Sequence, residues 1–221
     1  MQAQFWLNKW QNNEIGFHLP APHPWLVALW PQMMPSSESQ TVFVPLCGKT
    51  FDLDFFLAKG YHVIANELSE QAVQAVFERL HLAPITSTWA GGTCYSAEQL
   101  TIYAGDFFQL TAERLNDVDW IYDRAAIIAL PESMRAQYAK HIMALCPDAQ
   151  QCVITLDYDQ SIMNGPPFAV SGNEISQHYQ THFDITLLKE GNIIEHEPRF
   201  AQNGLAELFQ RVYQLTPKLK A

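Results

Sequence analysis

Residues able to do chemistry recur where apolar segments of the sequence end. The first such segment runs into Val44-Pro-Leu-Cys-Gly-Lys-Thr50, where Gly48 lets a ligand approach the backbone and the next helix offers its N-terminus. Glu67, Asp106 and Arg124 stand at the ends of three later apolar segments. In open α/β sheets the ligand binds at the carboxyl ends of the strands. We therefore expect these residues to line one site.

The types of these residues suit a ligand that carries ribose and adenine. Glu67 follows Gly48 by 19 residues, roughly where α/β nucleotide-binding folds place an acid on the ribose hydroxyls. Asp106 can accept a hydrogen bond from an adenine amino group, and Phe107 can cover the ring. The Gly48 turn matches neither GxGxxG nor GxxxxGKS/T, which counts against a dinucleotide or a nucleoside triphosphate.

Each of these residues also has a purely structural interpretation. Glu67 would be a solvated acid at a strand end. Asp106 would cap a helix, with Phe107 in the core. Arg124 would form a surface ion pair with Asp123, which contributes little stability. The residue types alone leave both interpretations open.

The hydropathy pattern predicts the elements that position these residues. Five apolar segments predict buried strands: Thr41 to Cys47, Tyr61 to Leu68, Thr101 to Phe108, Val118 to Asp123 and Gln151 to Asp157. Helical spacing covers Asp52 to Lys59, Ser69 to Leu82 and Pro131 to Cys146, and the capping box Ser171-Gly-Asn-Glu174 opens a helix through about His182. Phe183 to Glu190 and Ala206 to Leu215 predict a closing hairpin, and Gly91-Gly92 and Pro35-Ser36-Ser37 predict surface loops. The alternation indicates an α/β fold with an open, mostly parallel sheet and helices on both faces, built as one domain over residues 1–221.

Composition and charge exclude several classes of function. The 221 residues carry a formal net charge of -10 without a basic run, which disfavours nucleic-acid binding. The four cysteines form no CxxC pair, as in a reduced intracellular protein. His178 and His182 have metal-ligand spacing but lack the Glu of HExxH, so we predict no metal. Without a signal peptide or an 18-residue apolar run, we expect a soluble, cytoplasmic protein that does not bind membranes.

Five blocks of the sequence together resemble the thiopurine S-methyltransferase family. The blocks are Phe5-Trp6-Leu-Asn-Lys-Trp10 with Ile15-Gly-Phe17-His18, Val44-Pro-Leu-Cys-Gly-Lys49, Asn66-Glu67-Leu-Ser69, Tyr122-Asp-Arg-Ala125 and Gly165-Pro-Pro-Phe168. Their order and spacing resemble that family from residue 5 almost to the C-terminus. The resemblance implies a Rossmann-like class I methyltransferase that uses S-adenosylmethionine, with a seven-stranded sheet whose last strand is antiparallel. It also implies a small-molecule thiol acceptor, a monomer and a helical N-terminal lid over residues 1–30.

The resemblance assigns roles to individual residues. Trp10, Leu46, Glu67 and Arg124 resemble cofactor-contacting residues, with Asp106 and Phe107 at the adenine. Phe17 resembles an aromatic residue of the thiopurine site, and Arg199, in Glu197-Pro-Arg-Phe, resembles a substrate-side arginine. Arg124 and Arg199 are the predicted catalytic residues, stabilising the acceptor thiolate or the purine.

Three questions stay open at this point. The acceptor implied is a thiopurine or another heteroaromatic thiol, and bacterial relatives are also associated with selenium and tellurium species. Gly165-Pro-Pro-Phe168 resembles the Asn/Asp-Pro-Pro-aromatic motif of N-methyltransferases acting on a purine, nucleic acid or protein amide, but Gly165 separates Asn164 from the prolines. A non-catalytic protein that binds an adenosyl ligand is the alternative from another class.

Overall fold

The structure is a computed structural model that describes residues 3–33, 40–115 and 117–219. It divides after Ile121 into two compact units, Met1–Ile121 and Tyr122–Ala221. The organisation of residues 1–221 as one domain therefore stays a prediction. The loop predicted at Pro35-Ser36-Ser37 lies outside the described residues.

The first unit alternates strands and helices where the apolar pattern predicts them. Its elements are α1 (Ala3–Gln11), α2 (Pro24–Met33), β1 (Thr41–Val44), α3 (Asp52–Ala58), β2 (His62–Glu67), α4 (Glu70–Leu80), β3 (Ile85–Trp89), β4 (Gly92–Ala97), β5 (Leu100–Gly105) and the start of β6 (Trp120–Arg124). β1 and β5 end earlier than predicted. Pro45 follows β1, and Asp106 after β5 begins the 3-10 turn Phe107–Gln109.

The second unit begins within β6 and continues the alternation. Its further elements are α5 (Glu132–Leu145), β7 (Gln150–Asp157), α6 (Gly172–Tyr179), β8 (Phe183–Asn192), α7 (Pro198–Gln202) and β9 (Phe209–Pro217). The predicted helix start at Ser171 is confirmed, because the Ser171 hydroxyl accepts a hydrogen bond from the Glu174 N–H at 3.2 Å. The Glu174 carboxylate accepts from Arg135 Nη2 at 2.9 Å, so only the serine half of the predicted capping box is shown. The short helix α7 falls in a segment for which no helix was predicted.

The strands follow the hydrogen-bonded order β3-β4-β5-β2-β1-β6-β7-β9-β8. In the first unit β1 pairs in parallel with β2 and with β6, and β2 with β5, while β4 is antiparallel to β3 and to β5. In the second unit β9 is antiparallel to β7 and to β8. The predicted open, mostly parallel α/β sheet with an antiparallel last strand is confirmed. The predicted number of seven strands is wrong, because the sheet has nine.

The additional strands β3 and β4 form a hairpin next to β5. The first four residues of β3 are exposed and three of them are Thr or Ser, so the segment lacks the apolar pattern that predicts a buried strand. Gly91 lies in a turn as predicted, but Gly92 belongs to β4 and pairs with Gly105 of β5. Backbone pairing of β3 with β4 and of β4 with β5 holds the hairpin to the sheet, and Trp89, Cys94 and Tyr95 are its buried side chains.

Aromatic packing anchors the N-terminal segment on the first unit. Trp30 of α2 is 2% exposed, and its ring centroid lies 4.8 Å from that of Phe56 and 5.1 Å from that of Trp120. Its indole N–H donates to the Tyr61 hydroxyl at 3.1 Å. The N-terminal segment is helical as predicted, and its role as a lid stays a prediction.

Across the described ranges, no helix combines the length and apolarity that a membrane crossing needs.

Candidate active site

A buried carboxylate at the end of β2 forms the centre of the candidate site. Glu67 is 6% exposed. Its Oε2 accepts from the Gly48 N–H at 2.8 Å, and its Oε1 accepts from the Ser69 N–H at 2.8 Å. Burial raises the pKa of Glu67, and the hydrogen bonds from Ser69 and Gly48 oppose that rise. The interpretation of Glu67 as a solvated acid is therefore wrong.

The loop after β1 presents the Gly48 N–H to this carboxylate. Leu46 and Gly48 both have left-handed backbones, with φ of 46° and 56°, and such a conformation in a non-glycine residue costs about 1–2 kcal/mol. The Cys47 N–H donates to the Asn66 carbonyl at 2.8 Å, which fastens the loop to β2. Strain of this kind is typical of backbone held in place for a ligand.

The Cys47 thiol lies in the same loop but is unsuited to act as a nucleophile. It is buried, and its Sγ donates to the Gly48 carbonyl at 3.3 Å. Burial raises the pKa of the thiol well above its ordinary value, and the negative charge of Glu67 raises it further. The thiol therefore stays protonated at neutral pH.

Aromatic residues of the N-terminal segment cover the Gly48 loop. Trp10, at the end of α1, is 5% exposed, and its ring centroid lies 5.7 Å from that of Phe17 in an edge-to-face arrangement. The ring of Trp6 lies 5.8 Å from Phe17. Lys49 Nζ stands 6.0 Å from the Trp10 centroid. Hydrogen bonding by the Trp10 side chain also lowers the pKa of Glu67, so the predicted residues Trp10, Phe17 and Glu67 form one cluster.

The residues at the end of β5 have the structural role that the sequence left open. Asp106 is exposed, and its Oδ1 accepts from the Phe108 N–H at 3.0 Å, which caps the 3-10 turn. Phe107 is 3% exposed. Asn66, beside Glu67, donates through Nδ2 to the carbonyls of Tyr103 and Gly105 at 2.9 and 3.1 Å. The fold thus brings this turn to the strand adjacent to Glu67, and a contact of Asp106 or Phe107 with adenine stays a prediction.

Two positioning side chains of the first unit were missed by sequence reasoning. Trp89 of β3 donates from its indole N–H to the Ala104 carbonyl at 3.2 Å, and a Cβ on Gly91 would lie only 2.2 Å from its ring. Arg79 of α4 donates to the carbonyls of Lys49 and Thr50 at 2.8 and 3.1 Å. Neither residue belongs to a recognisable motif, because the partners are backbone carbonyls distant in sequence.

In the second unit, a buried carboxylate organises the turn that follows Arg124. Asp123 is 2% exposed, and its Oδ1 accepts from the N–H groups of Ala126 and Ile127 at 3.2 and 3.1 Å. Its Oδ2 accepts from the Tyr138 hydroxyl at 2.8 Å. Burial raises the pKa of Asp123 to about 6 against these hydrogen bonds. Asp123 is thus a buried residue of β6 whose side chain holds the following turn, and Arg124 itself is half-buried at the end of β6.

Two further segments of the second unit contact Tyr158, namely α7, which carries Arg199, and the Gly165-Pro-Pro-Phe168 loop. Arg199 is exposed on α7, and the ring of its neighbour Phe200 lies 6.2 Å from that of Tyr158. The Tyr158 hydroxyl donates to the Pro167 carbonyl at 2.5 Å. The Phe168 N–H donates to the Ile128 carbonyl at 2.6 Å. The Gly165-Pro-Pro-Phe168 segment is therefore a hydrogen-bonded loop after β7.

His178 lies in α6, and His182 lies in the turn after it. His178 Nε2 lies 3.3 Å from Oε1 of Glu174, a carboxylate that also pairs with Arg135, while His182 is exposed. Over the ranges that the structure describes, no group of three or more His, Cys, Asp or Glu side chains is arranged to hold a metal ion.

The geometry around Glu67 favours a particular kind of ligand. A buried carboxylate next to the Trp10 ring, which Phe17 in turn contacts, attracts hydroxyl groups and positive charge, because carboxylates accept hydrogen bonds and ring faces attract cations. The same carboxylate repels phosphate. The Glu67 oxygens accept hydrogen bonds here from backbone N–H groups, and the hydroxyls of a diol are donors that a carboxylate accepts in the same way.

Comparisons with known proteins identify the family. The family model described as Thiopurine S-methyltransferase (TPMT) matches residues 1–218. A probable thiopurine S-methyltransferase of Yarrowia lipolytica is 43% identical over 217 residues, 97% of this chain and 100% of the relative. The thiopurine S-methyltransferase of Pseudomonas fluorescens strain SBW25 is 42% identical over 216 residues, 97% of this chain and 99% of the relative.

A solved structure supports the fold. Burkholderia thailandensis 1,6-didemethyltoxoflavin-N1-methyltransferase, solved with 1,6-didemethyltoxoflavin and S-adenosylhomocysteine bound, has a TM-score of 0.62 at 17% identity and covers 97% of this chain and 87% of its own. The fold and the family that the sequence blocks predicted are confirmed. The chain therefore belongs to the thiopurine S-methyltransferase family of S-adenosylmethionine-dependent methyltransferases.

Proposed function

We propose that this protein transfers the methyl group of S-adenosylmethionine to the sulfur of a flat heteroaromatic thiol of the thiopurine class. The observation that carries the proposal is the Glu67 carboxylate, hydrogen-bonded to the Gly48 N–H and covered by Trp10, in a chain of this family. Family membership supports the type of reaction, and the site geometry supports where the donor binds.

The first unit supplies the proposed donor site. Glu67 would accept hydrogen bonds from the ribose hydroxyls of the donor, and Leu46 and Gly48 would present their backbone to it. The Trp10 ring would face the sulfonium, and Asp106 with Phe107 would lie at the adenine. Gly48 fits this role because a Cβ there would approach the Trp10 ring to 3.2 Å and narrow the gap between loop and lid.

The proposed acceptor residues are Phe17, Arg124 and Arg199. Phe17 would lie against the flat heterocycle, since its ring already packs on Trp6 and Trp10. The two arginines would stabilise a thiolate or the electron-rich purine by charge. An aryl thiol ionises more readily than an alkyl thiol, so a strong base is dispensable and the thiol proton passes to solvent.

Methyl transfer of this type is an in-line displacement. S-adenosylmethionine supplies an activated methyl group, and the acceptor thiolate takes it to give a thioether and neutral S-adenosylhomocysteine. The protein's residues contribute by holding the acceptor sulfur about 3–3.5 Å from the methyl carbon and by excluding water. No covalent enzyme intermediate is needed, which agrees with the protonated state of Cys47.

The test is transfer of a labelled methyl group from S-adenosylmethionine to 6-mercaptopurine by the wild type, by Glu67→Ala and by Glu70→Ala. Glu70 is an exposed acid three residues further on and serves as the matched control. We expect the wild type and Glu70→Ala to transfer methyl groups and Glu67→Ala to lose donor binding. A wild type that binds no S-adenosylmethionine would refute the proposed donor site.

A second pair of variants tests the arginines. Replacement of Arg124 and Arg199 together by Met is expected to lower turnover while the fold is retained. Unchanged turnover with normal donor binding would remove the proposed role of both. If the wild type binds the donor but does not methylate 6-mercaptopurine, the acceptor assigned here is wrong, and selenium and tellurium species are the next candidates.

The proposal also includes the setting of the enzyme. We place it in the cytoplasm as a monomer that acts on a small molecule, without a nucleic-acid or membrane partner. The acidic charge of -10 and the absence of a basic run in the sequence support the exclusion of nucleic acid. An N-methyltransferase or a non-catalytic adenosyl-binding protein would bind the donor in the same assay and leave the thiol unmethylated.

A further inference from the structure

Arg79 of α4 makes two hydrogen bonds to the backbone of the loop that follows Gly48. Its Nη1 donates to the Lys49 carbonyl at 2.8 Å, and its Nη2 donates to the Thr50 carbonyl at 3.1 Å. These two carbonyls belong to the residues directly after Gly48, whose N–H donates to Glu67. One guanidinium therefore fixes the backbone immediately downstream of the proposed donor contact.

The guanidinium is itself held in place by two neighbours from the start of α3. Asp54 accepts from Nε at 3.1 Å and from Nη2 at 2.6 Å in a bidentate ion pair. The Arg79 guanidinium also lies 4.2 Å from the ring centroid of Phe51. The side chains of Arg79 and Asp54 are 20% and 26% exposed. A planar fork is needed for this set of partners, and a lysine ammonium cannot supply it.

Helix α4, which carries Arg79, also begins next to a residue that binds the second oxygen of Glu67. Ser69 donates its N–H to Glu67 Oε1 at 2.8 Å, and its hydroxyl caps α4 by accepting from the Ala72 N–H at 3.3 Å. Arg79 stands ten residues beyond Ser69, a distance of about 15 Å along a helix. Helix α4 is thus hydrogen-bonded at both ends to the proposed donor site. Ser69 at its start binds Glu67, and Arg79 near its end binds the loop that carries Gly48.

We propose that Arg79 is a positioning residue for the donor site, holding the Lys49 and Thr50 carbonyls so that the Gly48 N–H stays on Glu67. This inference rests on the proposed function, because it takes Glu67 and Gly48 to be the donor contacts. In this role Arg79 acts through the loop, because its guanidinium donates to the Lys49 and Thr50 carbonyls. An ion pair with Asp54 alone would stabilise the fold to a small extent and would leave ligand affinity unchanged.

Phe51, the ring that packs against Arg79, also contacts His18, next to the proposed acceptor residue Phe17, at 5.7 Å between centroids. Truncation of Arg79 removes neither ring of this pair, and it removes neither ring of the Trp6–Phe17 pair. Loss of the guanidinium should therefore weaken donor binding and have little effect on the acceptor.

The experiment compares four full-length variants by calorimetric titration with S-adenosylhomocysteine and by the KM for 6-mercaptopurine at saturating donor. The variants are Arg79→Ala, Arg79→Lys, Asp54→Asn and the control Arg211→Lys. Arg211 is matched, because it also pairs with two carboxylates, Asp157 and Glu190, and its side chain is 18% exposed. Thermal unfolding of each variant records any loss of fold.

We expect Arg79→Ala to weaken donor binding about tenfold or more, which corresponds to the loss of one or two charge-assisted hydrogen bonds. Arg79→Lys should resemble Arg79→Ala, Asp54→Asn should have a smaller effect, and Arg211→Lys should match the wild type. Millimolar guanidinium chloride, far below denaturing concentrations, should partly restore donor affinity to Arg79→Ala, whereas NaCl of equal ionic strength should not.

Two results would overturn the inference. One is donor affinity of the Arg79 variants equal to that of Arg211→Lys. The other is a rise in donor Kd and acceptor KM by the same factor, in proportion to a loss of thermal stability and without rescue by guanidinium, which indicates a general effect on the fold. If Arg79→Ala does not fold, Arg79→Lys carries the test. If the wild type itself does not bind S-adenosylhomocysteine, the proposed function is refuted, and the inference about Arg79 is refuted with it.

Discussion

The Cζ2 atom of Trp10 lies 3.2 Å from the position that a Cβ on Gly48 would occupy. The N-terminal helix and the loop after β1 therefore meet with no space for a side chain between them. Gly48 also has a left-handed backbone, with φ of 56°, and donates its N–H to Glu67. A glycine at this position thus allows the left-handed turn and the close contact with Trp10, and its N–H makes the hydrogen bond to the Glu67 carboxylate.

Replacement of Gly48 by Ala should lower both stability and donor affinity. The left-handed backbone alone costs an alanine about 1–2 kcal/mol of unfolding free energy. The added Cβ must also displace the Trp10 ring, so we expect S-adenosylhomocysteine to bind about tenfold more weakly, a difference of about 1.4 kcal/mol. Calorimetric titration and urea unfolding measure the two effects.

Gly60 provides the matched control for this substitution. It also has a left-handed backbone, with φ of 84°, but a Cβ there meets nothing within 4 Å. Gly60→Ala should lose a similar unfolding free energy and keep wild-type donor affinity. Equal donor affinity in the two alanine variants would show that the contact between Trp10 and Gly48 has no part in binding.

The two tryptophans of α1 should affect different ligands. Trp10 lies on the Gly48 loop, whereas Trp6 contacts Phe17 at 5.8 Å and Phe5 at 5.4 Å. We expect Trp10→Ala to raise the donor Kd about tenfold or more, because it removes the ring proposed to face the sulfonium. The same substitution should lower the free energy of unfolding by about 3–5 kcal/mol, the usual cost of losing a buried tryptophan ring. Trp6→Ala should chiefly raise the KM for 6-mercaptopurine, through Phe17. Identical effects of both substitutions on both ligands would contradict this division.

The β3–β4 hairpin should depend on Trp89. This residue is 7% exposed, donates to the Ala104 carbonyl and packs edge-to-face on Tyr103 at 5.5 Å. Trp89→Phe should cost about 1 kcal/mol of unfolding free energy, the value of one hydrogen bond. Trp89→Ala should cost about 3–5 kcal/mol. Chemical denaturation of both variants gives the comparison, and a neutral Trp89→Ala would mean that the hairpin contributes little to the fold.

The buried Asp123 should give stability a measurable pH dependence. Its folded pKa of about 6 lies above the ordinary value of 3.8, chiefly because of burial. The folded state therefore binds this proton more tightly than the unfolded state, and the contribution to stability is lost as pH rises from about 4 through about 6. Asn carries no proton to lose, so Asp123→Asn should lack this component.

Urea unfolding of the wild type and of Asp123→Asn at several pH values tests this sign. As pH rises from about 5 to about 8, the wild type should lose about 1 kcal/mol of unfolding free energy relative to Asp123→Asn. The Tyr138 hydroxyl and the N–H groups of Ala126 and Ile127 contact the carboxylate in the fold. A difference that does not change with pH would show that Asp123 has an ordinary pKa.

Much of the fold could be predicted because its central elements have a strong local pattern. β1, β2, β5, β6 and β7 are apolar segments with turn residues at their ends, and burial within a sheet requires that composition. The caps Ser69 and Ser171 mark helix starts through hydrogen bonds three residues ahead. Local signals of this kind need no knowledge of distant residues.

The β3–β4 hairpin could not be predicted for the opposite reason. Ile85 is 80% exposed, and the next three residues of β3 are exposed Thr and Ser, so the pairing of β3 has no signature in the local pattern. Its partner is β4, and the backbone of β5 supplies the partner of β4. The predicted seven strands followed the family resemblance and did not include this hairpin.

The sequence by itself determined which residues are chemically capable: the acid Glu67, the glycine Gly48 and the aromatic residues Trp10 and Phe17. The tertiary structure alone decided what surrounds them. It buried Glu67 beneath Trp10, gave Asp106 the role of a cap, and brought the guanidinium of Arg79 to the Lys49 and Thr50 carbonyls. The physical reason is that burial and hydrogen bonding to backbone carbonyls depend on distant parts of the chain, which have no fixed spacing in the sequence.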